Sequence, residues 1–401
     1  MDREEGYLVQ FARSAILLNF LCVSILTGCV ATLVTPLPII PVVPIPVVPV
    51  PVTPPPAPVE PPIPPPASPV TAYHAYGDSI TAGYTLVSPA FFDYPSLIAQ
   101  DRQLTLDNYA IPGDQVCDVP TLQIFPNNDN PTAGAFPLYT LLIGTNDMDL
   151  RGVDDYMVPV FNVCQQASIA WLALPADLKV LATAAGIVSS GVITSGSGSI
   201  DTAHNWNGWE TSTLNASISL PISLYASGPI YAWVRIADND PGAFTYAVDG
   251  IVLGAMNTAT NPYISTQAGT HESIGFLRLP GIAAGSHTVT FTQTSATGTM
   301  EVVAIGAPPA VQRSLPMVLV GDTPNQEAVQ GDTCVVYPAT CLAYPLDIQA
   351  NVALFAGDGL DVIYAENHTY MFATPSEMDD ALHPNTVGHS ELRNAFEAVI
   401  P

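Results

Sequence analysis

"HAYGDSITAGY", residues 74–84, joins what reads as a buried strand to a turn of small residues carrying a serine. A Ser or Asp at a strand-to-helix turn is by default an N-cap, because its side-chain oxygen accepts from backbone N–H groups that a first helical turn leaves unpaired. Ser79 is therefore either a cap or an activated nucleophile, and the stretch alone favours the cap. The alternative requires the rest of the chain to supply a base, a carboxylate that orients it, and donors for a developing oxyanion.

Working outward, apolar runs with polar turns alternate with helical runs. "TAYHAYGDS" (71–79), "QLTLDNYAIPG" (103–113) and "LYTLLIGTND" (138–147) each read as a strand and a turn, and "VFNVCQQASIAWLAL" (160–174) as an amphipathic helix. The same rhythm returns in "LPMVLVGDTPN" (315–325), a helical "YPLDIQANVALFA" (344–356) and "GLDVIYAEN" (359–367). Such alternation predicts an α/β fold, a parallel sheet covered on both faces, with its sites at the carboxyl ends of the strands. Residues 186–310 break the pattern. They are rich in Ser, Thr, Gly, Val and Tyr and hold short runs such as "IYAWVRIAD", "AFTYAVDGIVL", "SIGFLRL" and "SHTVTFTQTS". Closely spaced short strands predict an inserted all-β sandwich. Its texture, in "LPGIAAGSHTVTFT" and "MEVVAIG", resembles galactose-binding-like and carbohydrate-binding jelly rolls. An insert between the helix after the third strand and the next parallel strand should join at the amino ends of the strands and, unless it folds back around an edge, serve as a targeting or spacing module rather than a lid.

The first 29 residues read as an export signal. Residues 14–26 are an apolar run too short to span a membrane comfortably, and they end in "LTGC", Leu26 to Cys29. That tetrapeptide resembles a bacterial lipobox, which implies lipidation of Cys29 and a place at the cell surface or in the periplasm; the alternatives are an uncleaved anchor or an ordinary signal peptide. Residues 30–70 form a proline-rich linker suited to extended polyproline II geometry. The two remaining parts of the α/β domain are then 71–185 and 311–401.

Composition narrows the partners. The net charge is -26, Lys179 is the only lysine, and no cluster of Lys or Arg is available to neutralise phosphates, so a nucleic-acid partner is not expected. In an oxidising compartment Cys117, Cys164, Cys334 and Cys341 permit three pairings. The short loop "CVVYPATC" favours Cys334 with Cys341, leaving Cys117 with Cys164. No zinc-type spacing is present, and "DNDPG" (238–242) reads better as a turn than as a calcium loop.

The polar turns offer the missing ingredients. "GDSI" holds Ser79, "IPGD" a backbone N–H at Gly113, "GTND" the amide of Asn146, and "DALHP" near the C-terminus Asp380 and His383. These four blocks, in this order, resemble the SGNH (GDSL) hydrolase family over residues 71–185 and 311–401. The resemblance implies a three-layer α/β/α domain and a cofactor-independent serine esterase. It makes Ser79 the nucleophile, His383 the base and Asp380 its orienting partner, with Ser79, Gly113 and Asn146 forming the oxyanion hole. His389 lacks the preceding Asp and reads as part of the terminal helix, and His74 as a satisfied core histidine. In the insert, Trp206 and Trp209 are candidates for sugar stacking, although packing is the commoner use of such a pair. The expectation is a monomeric, exported esterase acting on acyl groups of a carbohydrate, with a lipid or short-chain carboxylesterase as the alternative, and a carbohydrate-binding protein with a vestigial site as a third.

Overall fold

The computed structural model of the chain describes residue 70 and residues 72–132, 136–150, 160–184, 187–191, 194–196, 207–237, 241–259, 272–309, 314–324, 338–370 and 374–401. The export signal, Cys29 and the proline-rich segment lie outside the described residues, as do Trp206, Cys334 and the acidic positions 238 and 240.

The strands are β1 (Ala72–Gly77), β2 (Thr105–Asn108), β3 (Leu138–Leu142), β4 (Lys179–Leu181), β5 (Val188–Ser190), β6 (Thr194–Gly196), β7 (Gly208–Thr211), β8 (Ser217–Leu224), β9 (Gly228–Ala237), β10 (Ala243–Val248), β11 (Ile251–Asn257), β12 (Glu272–Ile282), β13 (Gly285–Gln293), β14 (Met300–Gly306), β15 (Met317–Gly321) and β16 (Val362–Ala365). The helices are α1 (Pro89–Phe92), α2 (Tyr94–Arg102), α3 (Thr145–Leu150), α4 (Asn162–Ala173), α5 (Pro338–Gly357), α6 (Asn367–Tyr370) and α7 (Thr386–Glu397).

Five strands pair in parallel in the order β16-β15-β3-β1-β2. All five residues of β3 are buried, as a central strand covered on both faces requires. Alternate residues serve opposite faces. Tyr73, Ala75, Leu138, Leu142 and Leu319 join a core with Tyr94 and Ile98 of α2 and Leu392 and Phe396 of α7, whereas Tyr76, Tyr139, Leu141, Val318 and Val320 join one with α4 and α5. The register brings Gly77, Leu142, Gly321 and Ala365 level, so the turns after these strands open on one edge.

The remaining strands form two antiparallel sheets, β11-β10-β13-β8-β5 and β12-β9-β14-β7-β6, with β4 paired to β14. Antiparallel pairing thus begins at Lys179, directly after the turn that follows α4. The β10–β11 hairpin turns through Asp249 and Gly250, both at positive φ, the backbone that an Asp-Gly hairpin turn needs.

This second body is no appended spacer. Tyr231, Trp233, Ile236, Ile274, Phe276, Val303 and Ala304 of its β12-side sheet share one hydrophobic cluster with α4, α5 and one face of the parallel sheet. The Trp233 indole N–H donates to the Ala167 carbonyl of α4 at 2.9 Å, and Asp358, just beyond α5, takes hydrogen bonds from Tyr231 (2.6 Å) and Arg278 (2.6 and 3.0 Å). Gly275 permits the approach: a Cβ there would lie 2.7 Å from side-chain carbons of Val163 and Ile236. Nine of the twelve α4 residues are buried because the helix is covered from two sides. The sequence left open whether the insert folds back, because the joints alone do not say where a sheet of this size comes to lie.

Candidate active site

β1 ends at Gly77, and the backbone then coils through hydrogen bonds from Ala82 to Asp78 (3.0 Å), Gly83 to Ile80 (3.1 Å) and Tyr84 to Ser79 (3.0 Å). The residue that caps this turn is Asp78, whose Oδ1 accepts from the Ile80 N–H at 2.9 Å. The cap and the candidate nucleophile are therefore different residues, and the Ser79 hydroxyl lies 3.0 Å from His383 Nε2.

His383 and Asp380 come from one turn, closed by an antiparallel bridge between Met378 and Pro384. Asp380 Oδ1 accepts from the backbone N–H of Leu382 (2.8 Å) and His383 (2.6 Å), which sets the turn, and Oδ2 lies 2.8 Å from His383 Nδ1. Nδ1–H donating to the carboxylate leaves the Nε2 lone pair directed at Ser79. Partial burial pushes the Asp380 carboxyl up, but the hydrogen bonds from the His383 ring and the two backbone N–H groups outweigh it and hold the carboxyl below its ordinary value.

The other two residues reach the same edge through a buried clamp. Gly113 has φ +90°, a left-handed backbone that glycine adopts without strain. Asn146 Nδ2 donates to the carbonyl of Asp114, the next residue, at 2.8 Å. Gln123, fully buried in a π-helical turn at Val119–Ile124, brackets Gly77: its Oε1 accepts from Gly77 N–H at 3.0 Å and its Nε2 donates to Gly77 carbonyl at 2.7 Å and to Asp114 Oδ2 at 2.8 Å. One side chain thus ties the end of β1 to the turn that holds Gly113, and Asn146 ties that turn to the end of β3. A disulfide between Cys117 and Cys164 fastens the same region to α4, a cross-link that typically contributes about 2–4 kcal/mol. Cys341 is also disulfide-bonded; its expected partner Cys334 lies outside the described residues.

His389, His74 and Trp209 fall elsewhere. His389 is buried in α7, where its Nδ1 accepts from the Tyr94 N–H at 3.2 Å; burial, with a smaller contribution from His383, pushes it down to about 4, so it stays neutral. His74 is held by Asp129 Oδ2 at 2.5 Å between the rings of Tyr109 and Tyr139. Trp209 packs, half-buried, against the sandwich core. Gln123 carried no readable signal, being a lone glutamine in "VPTLQIF". Among the described residues, no group of three or more His, Cys, Asp or Glu side chains is placed to hold a metal ion.

Burial pushes the Asp78 carboxyl up to about 7 from its ordinary 3.8, and its Oδ2 has no hydrogen-bond partner among the described residues. A raised carboxyl contributes stability that is complete below 3.8 and lost as pH rises towards 7; the depressed His389 acts oppositely, losing stability as pH falls from 6.5 towards 4. Comparison with a variant separates them. Asp78→Asn keeps the Ile80 cap, so its melting temperature relative to the parent should rise from pH 4 to pH 7 and level off above that. Parallel curves would remove Asp78 as the titrating group.

No family model matches the chain, and no curated protein matches it. Among solved structures, a two-domain esterase active on acetylated mannans, co-crystallised with mannopentaose, aligns at 12% identity over 61% of this chain and 92% of that one, with a TM-score of 0.33. A family 35 carbohydrate-binding module from Clostridium thermocellum aligns at 14% identity over 32% and 95%, TM-score 0.25. The carbohydrate-binding module CBM36 in complex with calcium and xylotriose aligns at 16% identity over 32% and 96%, TM-score 0.24. Likenesses this distant leave function to be argued from the site itself.

Proposed function

We propose that the chain is a serine ester hydrolase of the SGNH type. The observation that carries the reading is the chain of hydrogen bonds Ser79–His383–Asp380 at the carboxyl edge of the parallel sheet. Ser79 Oγ attacks the ester carbonyl carbon while its proton passes to His383 Nε2. The negative charge on the carbonyl oxygen is met by the N–H groups of Ser79 and Gly113 and the Asn146 amide. The C–O bond to the alcohol then breaks, and His383 returns the proton to the departing oxygen. Water repeats the sequence on the acyl-enzyme, giving the acid and free Ser79. Asn146→Ala should lower kcat by about 10²- to 10³-fold with KM little changed, as expected for losing one oxyanion donor; an unchanged kcat would remove Asn146 from the hole.

The finer reading is an exported protein, lipid-anchored at Cys29, that removes acetyl or other short acyl groups from a carbohydrate. What supports export is "LTGC", and what supports a sugar ester is the sandwich packed on the hydrolase half. The test is acetate release from acetylated xylan beside hydrolysis of nitrophenyl acetate and nitrophenyl octanoate. Polymer activity with little octanoate turnover is expected. Octanoate turnover alone would assign a lipid or short-chain esterase, and no turnover of any substrate would leave a binding protein.

A further inference from the structure

The 78–84 turn holds a second feature that the chemistry above does not use. The Tyr84 ring lies 5.3 Å, centroid to centroid, from that of His383, with the planes 43° apart, and the residue is 65% exposed. Its position is set by the candidate nucleophile itself, because the Tyr84 N–H donates to the Ser79 carbonyl. The residues that follow are equally uncovered: Val87 is fully exposed, Phe91 is 63% and Phe92 47% exposed. They are the only exposed phenylalanines among the described residues, and α1, which carries both, packs beside α7. A large aromatic side chain left in the open against a reacting histidine marks a binding surface more often than an accident of solvation.

Its place relative to His383 says which half of the ester it meets. The departing alcohol takes its proton from Nε2, so the group bearing that oxygen must lie against the imidazole. We propose that Tyr84 is the platform on which the alcohol half of the substrate rests, and that this half is a neutral pyranose ring. The inference rests on the reading of Ser79, His383 and Asp380 as the reacting groups. A pyranose presents a face of C–H bonds that lies flat on an aromatic ring, and its hydroxyls stay in water at an exposed site. The electrostatics select a neutral sugar over a uronate: Asp379 and Asp380 sit exposed on the His383 turn, Glu377 is on the same loop, and the whole chain carries a net charge of -26.

The experiment compares kcat/KM for acetylated xylo-oligosaccharides, acetylated oligogalacturonides and ethyl acetate in the parent, Tyr84→Phe, Tyr84→Leu and Tyr84→Ala. The xylo-oligosaccharide should be the best substrate of the parent. Tyr84→Ala and Tyr84→Leu should each lower the ratio of kcat/KM for this ester to that for ethyl acetate by about tenfold, through KM. Tyr84→Phe, which keeps the flat ring, should hold the ratio within about twofold. Tyr84→Leu keeps apolar bulk, so a ratio retained in it and lost only in Tyr84→Ala would overturn stacking. An unchanged ratio in every variant, or a preference for the uronate ester, would overturn the proposal while leaving ester hydrolysis intact. Hydrolysis that survives Ser79→Ala would instead remove the reading on which it rests.

Discussion

Ser79→Ala is expected to lower kcat for any ester by about 10⁴- to 10⁶-fold, because the acyl-enzyme no longer forms and only binding and the oxyanion donors remain. The substitution removes one hydroxyl from a buried turn that Asp78 caps through the Ile80 N–H, so the melting temperature should stay close to that of the parent. That combination separates a chemical role from a structural one. His383→Ala should cost a similar factor, and the double variant scarcely more than either single one, since groups that act as a unit fail together. Asp380→Asn should cost less than either. Asp380 is half exposed and sets the tautomer of His383, while its backbone acceptor role in the turn passes to the amide oxygen. Initial rates with nitrophenyl acetate, corrected for the uncatalysed reaction, measure all four. Additive losses in the double variant would mean that Ser79 and His383 act independently, and the proposed chemistry would fall.

Much of this was legible in the sequence, for local reasons. A parallel strand buried on both faces must be apolar throughout, as in "LYTLL", and the turns after such strands carry their polar residues at fixed offsets from the last apolar one. "AFTYAVDGIVL" announces its hairpin because an Asp-Gly pair takes the positive φ that the turn demands. Other features were hidden because they are made in space. The opening stretch offers two capping residues, and only the hydrogen bond from Ile80 shows that Asp78 takes the role and leaves Ser79 free for His383. Gln123 lies 46 residues from Gly77 and has no periodic or motif signature, yet it joins two of the turns that build the site. The α4 segment did hold a clue: "NVCQQASIAWLA" has no charged residue, which suits a helix covered on two sides better than one with a face in water.

That covering yields the other large effect. A chain with residues 187–309 replaced by a short linker is expected to be insoluble or unfolded, where a detachable module would leave a competent esterase. Removing the sandwich exposes the buried flank of α4, strands Asp358 without Tyr231 and Arg278, and divides a cluster in which Trp171 and Trp233 meet edge to face at 5.3 Å. Trp233→Ala tests the same point without deletion. It empties the volume of a fully buried indole and leaves the Ala167 carbonyl without its donor, and large-to-small changes of this kind cost about 3–5 kcal/mol. Urea unfolding followed by tryptophan fluorescence and by far-ultraviolet circular dichroism should give one coincident transition in the parent, shifted to lower urea in the variant. Two separated transitions, with Trp233→Ala moving only one, would mean that the bodies fold independently despite their shared cluster. A single transition makes the parallel-sheet half depend on the sandwich for its own fold. The contact between β12 and the turns of the candidate site is direct: the Ser273 hydroxyl donates at 2.7 Å to the carbonyl of Cys117, which the disulfide to Cys164 holds against α4.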